Sequence, residues 1–266
     1  MLITSAQNPR VKHLKKLRKR RERDLCREVL IEGYREILRA LENSYPVDQL
    51  YICPDLFVGE NEQALIQRCQ ATGAEIIELT PTLFRKAAYR DRPEGLMAIG
   101  PQIHRDRGLS ELSLGTPPLL VIVEAIEKPG NLGTILRSAD ATGVDALILC
   151  DAGTDLYNPN VVRASTGTLF SMQVAEADSR ETAAWLKFRG IQTLAATPHS
   201  EHLYSNQDMT LPTAIVVGTE QYGLSDFWMA EADHRVRIPM LGVADSLNVA
   251  NATTLLLYEA VRQRGR

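Results

Sequence analysis

Three short stretches carry side chains of types and spacings that could do chemistry. In "KPGNLGTILRSADATG" (128–143), Pro129-Gly130-Asn131 make a turn, Asn131 can cap the helix that follows, and Arg137 lies six residues on, nearly two turns down. Arg137 is flanked by Ile135, Leu136 and Ala139, so it would emerge from a largely buried helix, either to clamp a phosphate bidentately or to pair with a core carboxylate. In "IVVGTEQYGLSDFW" (215–228), Gly218 and Gly223 flank Glu220, and glycines there allow a ligand to approach the backbone closely. In "IPMLGVADSLNVANATTLLLYEAV" (238–261), Gly242, Asp245, Ser246 and Asn248 crowd one turn between two apolar elements. Ser246 would cap the last helix and leave main-chain N–H groups facing a carboxylate or phosphate; Asn248 could read a polar ligand. The loop's own N–H and C=O groups could read an adenine edge.

The elements around these stretches place all three at one edge. From Leu119 onward, short Val/Ile/Leu runs ("LLVIVEAI", "ALILC", "MQVAEA", "IQTLAA", "TAIVVGT", "HRVRIPM") alternate with helical patterns over 131–142, 161–170, 180–189 and 225–230 and a long final helix. Continuous apolar strands separated by helices indicate a parallel sheet covered on both faces, whose ligands bind beyond the carboxyl ends of the strands. The last strand is expected to run to Pro239. Residues 1–103 read separately, as a basic helix followed by a mixed run of strands and helices, and 104–118 ("HRDRGLSELSLGTPP") has a linker's composition. The expected division is 1–103, linker 104–118, and 119–266.

Composition narrows the function. The chain has 266 residues, 44% hydrophobic and 24% charged, in the range of globular proteins. No signal-peptide pattern and no apolar run of about 18 residues occur, so a cytoplasmic protein without membrane contact is expected. The four cysteines are scattered, with no C-x-x-C pair, as in a reducing compartment. A net charge of −3 divides into +8 over residues 1–27 and −11 over the rest. That basic head is either a solvated helix face or a polyanion site. No G-x-G-x-x-G follows a strand, and neither a Walker loop nor G-x-S-x-G is present. His199 and His202 have no third ligand nearby in sequence, so no metal is expected.

Taken together, "NLGTILRSADATG", "VVGTEQYGLS" and "IPMLGVADSLNVA" resemble, in order and spacing, the three signature motifs of the SpoU (TrmH-type) RNA 2′-O-ribose methyltransferases of the SPOUT superfamily. "SAQNPRVKHLKKL" followed by "VLIEG" is similar to that family's substrate-binding domain. The resemblance implies an α/β fold: a SPOUT-type parallel sheet with a C-terminal trefoil knot, plus a smaller N-terminal L30e-like α/β domain. It implies S-adenosylmethionine as cofactor, held at Thr197, Gly218, Ile238, Met240, Ser246 and Leu247. Catalytic roles carry over to Asn131, Arg137, Glu220, Ser246 and Asn248. A guanidinium resists deprotonation, so Arg137 suits a ribose–phosphate clamp better than a base.

The family also implies a homodimer whose active site uses both chains. The expected substrate is structured RNA, ribosomal more than transfer, contacted by Lys12, Lys15, Lys16, Lys19 and Arg20 of the basic head. "NPNVVRASTGTLF" (158–170) puts Arg163 and Ser165 near the expected RNA entrance. Thr219 stands where the family often has Asn, Gln221-Tyr222 replace smaller residues, and Ala250-Asn251 follow "NV" where Ser is common. An RNA-binding or ribosome-assembly factor without catalysis is the alternative reading of the same fold.

Overall fold

The computed structural model describes residues 1–104 and 107–265; two residues of the expected linker, 105 and 106, lie outside the described set. The chain divides into two compact units, Met1–Ile103 with Asp155–Ser171, and His104–Thr154 with Met172–Arg266.

The first unit contains β1 (Leu2–Ile3), α1 (Pro9–Lys16), α2 (Arg20–Cys26), β2 (Glu28–Glu32), α3 (Tyr34–Glu42), β3 (Gln49–Ile52), α4 (Glu62–Ala71), β4 (Glu75–Leu79), α5 (Pro81–Ala87) and β5 (Leu96–Pro101). Its sheet runs β1-β4-β3-β5-β2, with β5 antiparallel to both of its neighbours. The basic head forms two helices, where one was expected. The chain breaks at Leu17–Lys19 because Leu17 is drawn fully into the core with Val11 and Leu14. Arg23 departs from the basic run altogether: it is 1% exposed, pairs with Asp155, and donates to the Leu17 carbonyl at 2.6 Å.

The segment Asp155–Ser171, expected among the second group of elements, clusters with the first unit. Arg39 Nη1 donates to Thr166 O at 2.9 Å and to Thr166 Oγ1 at 2.7 Å, Asn160 Nδ2 donates to the Tyr89 hydroxyl at 2.9 Å, and the Tyr45 and Phe170 rings meet edge-on at 4.6 Å. The single helix expected over 161–170 is a short α7 (Pro159–Ala164) and a 3₁₀ turn (Thr168–Phe170), separated by the positive φ of Thr166 and Gly167. Pro159 at its first position starts α7 earlier than the apolar pattern suggested.

The second unit holds β6 (Leu119–Glu124), α6 (Pro129–Ala141), β7 (Ala146–Cys150), β8 (Val174–Ala177), α8 (Ser179–Phe188), β9 (Gln192–Ala196), β10 (Thr213–Val217), α9 (Asp226–Glu231), β11 (His234–Val236) and α10 (Val249–Gln263). Its sheet runs β11-β9-β10-β6-β7-β8, and every pairing is parallel, with Ile215 opposite Val121 and Val121 opposite Leu147. Strands β6, β7 and β10 are buried along their whole length, as helices on both faces require. β11 stops at Val236, short of Pro239; Arg237 makes one parallel bridge to Leu203, and residues 238–248 run on without regular structure.

α10 is fixed at both ends. Ser138 Oγ and Thr254 Oγ1, 2.7 Å apart, tie it to α6. Beyond its C-terminus, Arg264 donates to the carbonyls of Met209, Pro117, Pro118 and Leu211 at 2.8–2.9 Å, which anchors it beside the starts of β6 and β10. All four cysteines are free; Cys53, Cys69 and Cys150 are buried, and burial pushes the Cys150 thiol up to about 12.

Candidate active site

Because the second sheet is parallel, the carboxyl ends of β6, β9, β10 and β11 deliver four loops to one edge. After β10 the chain forms a tight hairpin. Thr219 N donates to Gly223 O at 2.9 Å, Gly223 N donates back to Thr219 O at 3.0 Å, and Tyr222 N donates to Thr219 Oγ1 at 3.0 Å. Gly223 takes φ +70°, and a Cβ on Gly218 would lie 2.2 Å from Gly223 O, so both glycines are demanded by the turn itself. Its exit is held by Glu124 at the end of β6, a residue the sequence did not single out. Glu124 accepts from Ser225 N at 2.8 Å and Ser225 Oγ at 2.6 Å, and Ser225 caps α9.

The hairpin aims Glu220 between the N-termini of α6 and α10. Glu220 Oε1 accepts from Asn131 Nδ2 and from Asn248 Nδ2, each at 2.6 Å, and Asn248 Nδ2 also lies 3.2 Å from Asn131 Oδ1. The other carboxylate oxygen, Oε2, pairs with Lys128. The Lys128 ammonium, seconded by the two amides, holds the Glu220 carboxyl below the usual carboxylate range. Two helix N-termini beside it favour the same anionic form. Lys128 was missed because a lone lysine before Pro-Gly reads as surface, and it is in fact 72% exposed on its side chain.

Two capping expectations are corrected. Asn131 does not cap α6: Pro129 occupies the first helical position, which starts the helix at Lys128 and leaves the Asn131 amide free for Glu220. Ser246 does not cap α10: Asn248 does, its Oδ1 accepting from Ala250 N at 3.0 Å and Asn251 N at 3.4 Å. Ser246 stays in the exposed loop before it.

Beside this polar group opens a cleft of about 660 Å³. Thr197, Gly218, Ile238, Met240, Ser246 and Leu247 all line it, as does Glu220. Its walls join an apolar floor (Val217, Leu224, Val236, Leu256) to the irregular loop 238–248. Among the described residues, the main-chain N–H groups of 240–247 bond to no other backbone group. The volume is that of a small-molecule site, about 300–1,000 Å³. Apolar walls with unengaged amides suit a purine ring with a polar edge, so the residues present fit S-adenosylmethionine.

Arg137 is not brought to the cleft. It is exposed on α6, and among the described residues it has no ion pair or hydrogen bond, which removes the core-carboxylate reading. In the first unit Lys12, Lys16, Lys19 and Arg20 are exposed, Lys15 is half-buried, and Arg20 Nε lies 3.6 Å from Asp24. Arg163 is exposed on α7, but Ser165 is fully buried and donates to Val162 O, so it faces no entrance. His199 lines the cleft and, among the described residues, joins no group of three metal-capable side chains. Among the described residues the one such group is His13, Cys26 and Glu28 in the first unit, where His13 Nε2 and Glu28 Oε2 bond at 2.5 Å.

Comparison with known proteins bears on both units. Residues 118–258 match the model of the SpoU rRNA Methylase family, and residues 8–98 match that of the MRM3-like substrate binding domain. The 23S rRNA (uridine(2479)-2′-O)-methyltransferase of Streptomyces viridochromogenes is 35% identical over 254 residues, 92% of this chain and 86% of that one. A crystal structure of an RNA 2′-O ribose methyltransferase covers 100% of both chains at 41% identity, with a TM-score of 0.87. The AdoMet-bound rRNA methyltransferase from Sinorhizobium meliloti is 30% identical over 98% of this chain and 97% of that one, also with a TM-score of 0.87.

Proposed function

Because the chain belongs to the SpoU rRNA methylase family, we propose that it methylates a ribose 2′-hydroxyl of structured RNA, ribosomal in preference to transfer, at the expense of S-adenosylmethionine. One observation carries the reading: Glu220 belongs both to the wall of the cleft and to the amide–ammonium cluster formed by Asn131, Asn248 and Lys128.

Thr197, Gly218, Ile238, Met240, Ser246 and Leu247 would hold the cofactor, which supplies an electrophilic methyl on a sulfonium. The residues around it work by positioning. Asn131 and Asn248 orient Glu220, and Lys128 keeps it ionised as an acceptor for a ribose hydroxyl. A carboxylate with a lowered pKa is a poor base but a good fixed acceptor, so the hydroxyl proton is released to solvent, and fixing the nucleophile in line is itself worth several orders of magnitude. Arg137, with no ion pair or hydrogen bond among the described residues, serves as ribose–phosphate clamp through its planar fork of donors.

We read residues 1–103, with 155–171 clustered on them, as the RNA-holding, L30e-like domain, 104–118 as the linker, the rest of 119–266 as the methyltransferase domain, and the path through 238–248 as the knot of the SPOUT fold. The exposed Lys12, Lys16, Lys19, Arg20 and Arg163 support an RNA role for the first unit. We read the protein as a cytoplasmic homodimer in which Arg137 reaches the cleft of the second copy. Exposed Leu241, Val243, Leu255 and Tyr258 supply apolar surface for that contact. Among the described residues no helix is long and apolar enough to cross a membrane.

Isothermal titration with S-adenosylmethionine, followed by methyl transfer to an unmodified large-subunit ribosomal RNA transcript, tests the reading. Saturable binding and label in ribose are expected. Absence of both heat and thermal shift at millimolar cofactor would instead favour the non-catalytic RNA-binding factor. Light scattering at a single-chain mass would remove the dimer. Mapping ribose methylation in a deletion strain against its parent would name the nucleotide.

A further inference from the structure

The hairpin that aims Glu220 inward carries Tyr222 at its tip. Tyr222 is 77% exposed although it lies on the rim of the cleft. Its side chain makes no ring contact and no hydrogen bond among the described residues, and only its backbone is held, by Thr219 Oγ1. Single exposed aromatics are common and need no explanation by themselves. This one differs in how it is mounted. The Thr219–Gly223 pair closes the turn from both sides, and Gly218 packs against Gly223 with no room for a side chain. The ring is therefore carried on a closed turn, its Cα two residues and at most about 7 Å from the Cα of Glu220.

That spacing matches a need of the reaction. An enzyme that selects one nucleotide of a folded RNA commonly reads it where its base is unstacked, and an unstacked base is commonly taken up by an aromatic side chain. We propose that Tyr222 is the platform on which the target nucleobase stacks while its ribose lies at Glu220, making it a specificity-determining residue for RNA that presents an unpaired nucleotide. The proposal rests on the RNA ribose methyltransferase reading above. A ring whose job was to cover the cofactor would be expected to turn into the cleft, and Tyr222 stands mostly in solvent.

The test uses the full-length protein and the unmodified large-subunit ribosomal RNA transcript, with Tyr222→Ala, Tyr222→Phe, Tyr222→Trp and Tyr222→Leu. Loss of one base–aromatic stack should raise the KM for the transcript by about ten- to a hundredfold in Tyr222→Ala, with kcat and S-adenosylmethionine affinity within about twofold of the parent. Phe and Trp should restore KM, and Leu should not. Unchanged cofactor affinity also shows that each variant is folded. Restoration by Leu to the level of Phe, or an equal loss in cofactor affinity, would overturn the platform. Wild-type protein that methylates no RNA would sink the parent reading together with this one, whereas active wild type with an unaffected Tyr222→Ala sinks this one alone.

Discussion

Asn248 Nδ2 donates to Glu220 Oε1 at 2.6 Å while Asn248 Oδ1 caps α10 through the amides of Ala250 and Asn251. One side chain thus starts the terminal helix with its acceptor and orients the carboxylate of the site with its donor. The two duties can be separated. Asn248→Ala should cost about 1 kcal/mol of stability through the lost cap and should also slow methyl transfer. Asn248→Asp keeps the cap acceptor but turns a second carboxylate toward Glu220. Thermal unfolding close to wild type with transfer as weak as in Asn248→Ala is the expected pair of results.

The pairing of Lys128 with Glu220 sets a pH limit. Glu220 titrates below the usual carboxylate range when folded, so its contribution is complete above the unfolded value and is lost as pH falls through the lower, folded one. In Lys128→Met the main stabiliser of the anion is gone, and the acid limb of the pH–rate profile should move up toward the ordinary glutamate value of about 4.3. A limb that stays in place would show that Lys128 is a bystander.

Arg137 tests function apart from folding. It is exposed and unpartnered among the described residues, so Arg137→Ala should change stability by less than about 0.5 kcal/mol. Loss of a charged clamp should still lower transfer by about a hundredfold or more. Arg137→Lys should recover little, because one ammonium cannot replace a bidentate fork. Near-wild-type turnover in Arg137→Lys would reduce the residue to a simple positive charge.

The basic head divides into two kinds of residue. Lys12, Lys16 and Lys19 are exposed, and changing all three to Gln should flatten the salt dependence of RNA binding by about two to three units of slope, with little effect on unfolding. Arg23 belongs to the same run of sequence but is buried against Asp155. Arg23→Met strands a buried carboxylate and should cost about 3–5 kcal/mol in denaturant unfolding. If both variants behaved alike, the division would be wrong.

Much of this molecule could be read from its residues in order. Continuous Val/Ile/Leu runs can be satisfied only by strands buried on both faces, so β6, β7 and β10 and the parallel sheet follow from local pattern. Glu220 was identifiable because it sits just past β10, where the strand ends and ligands bind, whereas the roles of Asn131 and Asn248 were implied by the resemblance to the SpoU motifs. The residues expected around the cofactor, Thr197, Gly218, Ile238, Met240, Ser246 and Leu247, came from the resemblance to the SpoU motifs and not from period or register. Local pattern was silent wherever a side chain's partner is distant in the chain. Nothing near Lys128 announces Glu220, ninety-two residues away, and nothing near Arg23 announces Asp155, which is 132 residues away. The choice of Asn248 over Ser246 as cap was equally hidden, since either type can start a helix and only the backbone path through 237–248 decides between them. Period and propensity determined the elements and the edge at which chemistry collects. Strand order, with β10 seated between β6 and β9, decided which polar groups meet there, because hydrogen bonds and ion pairs depend on distance in space and the sequence records only distance along the chain.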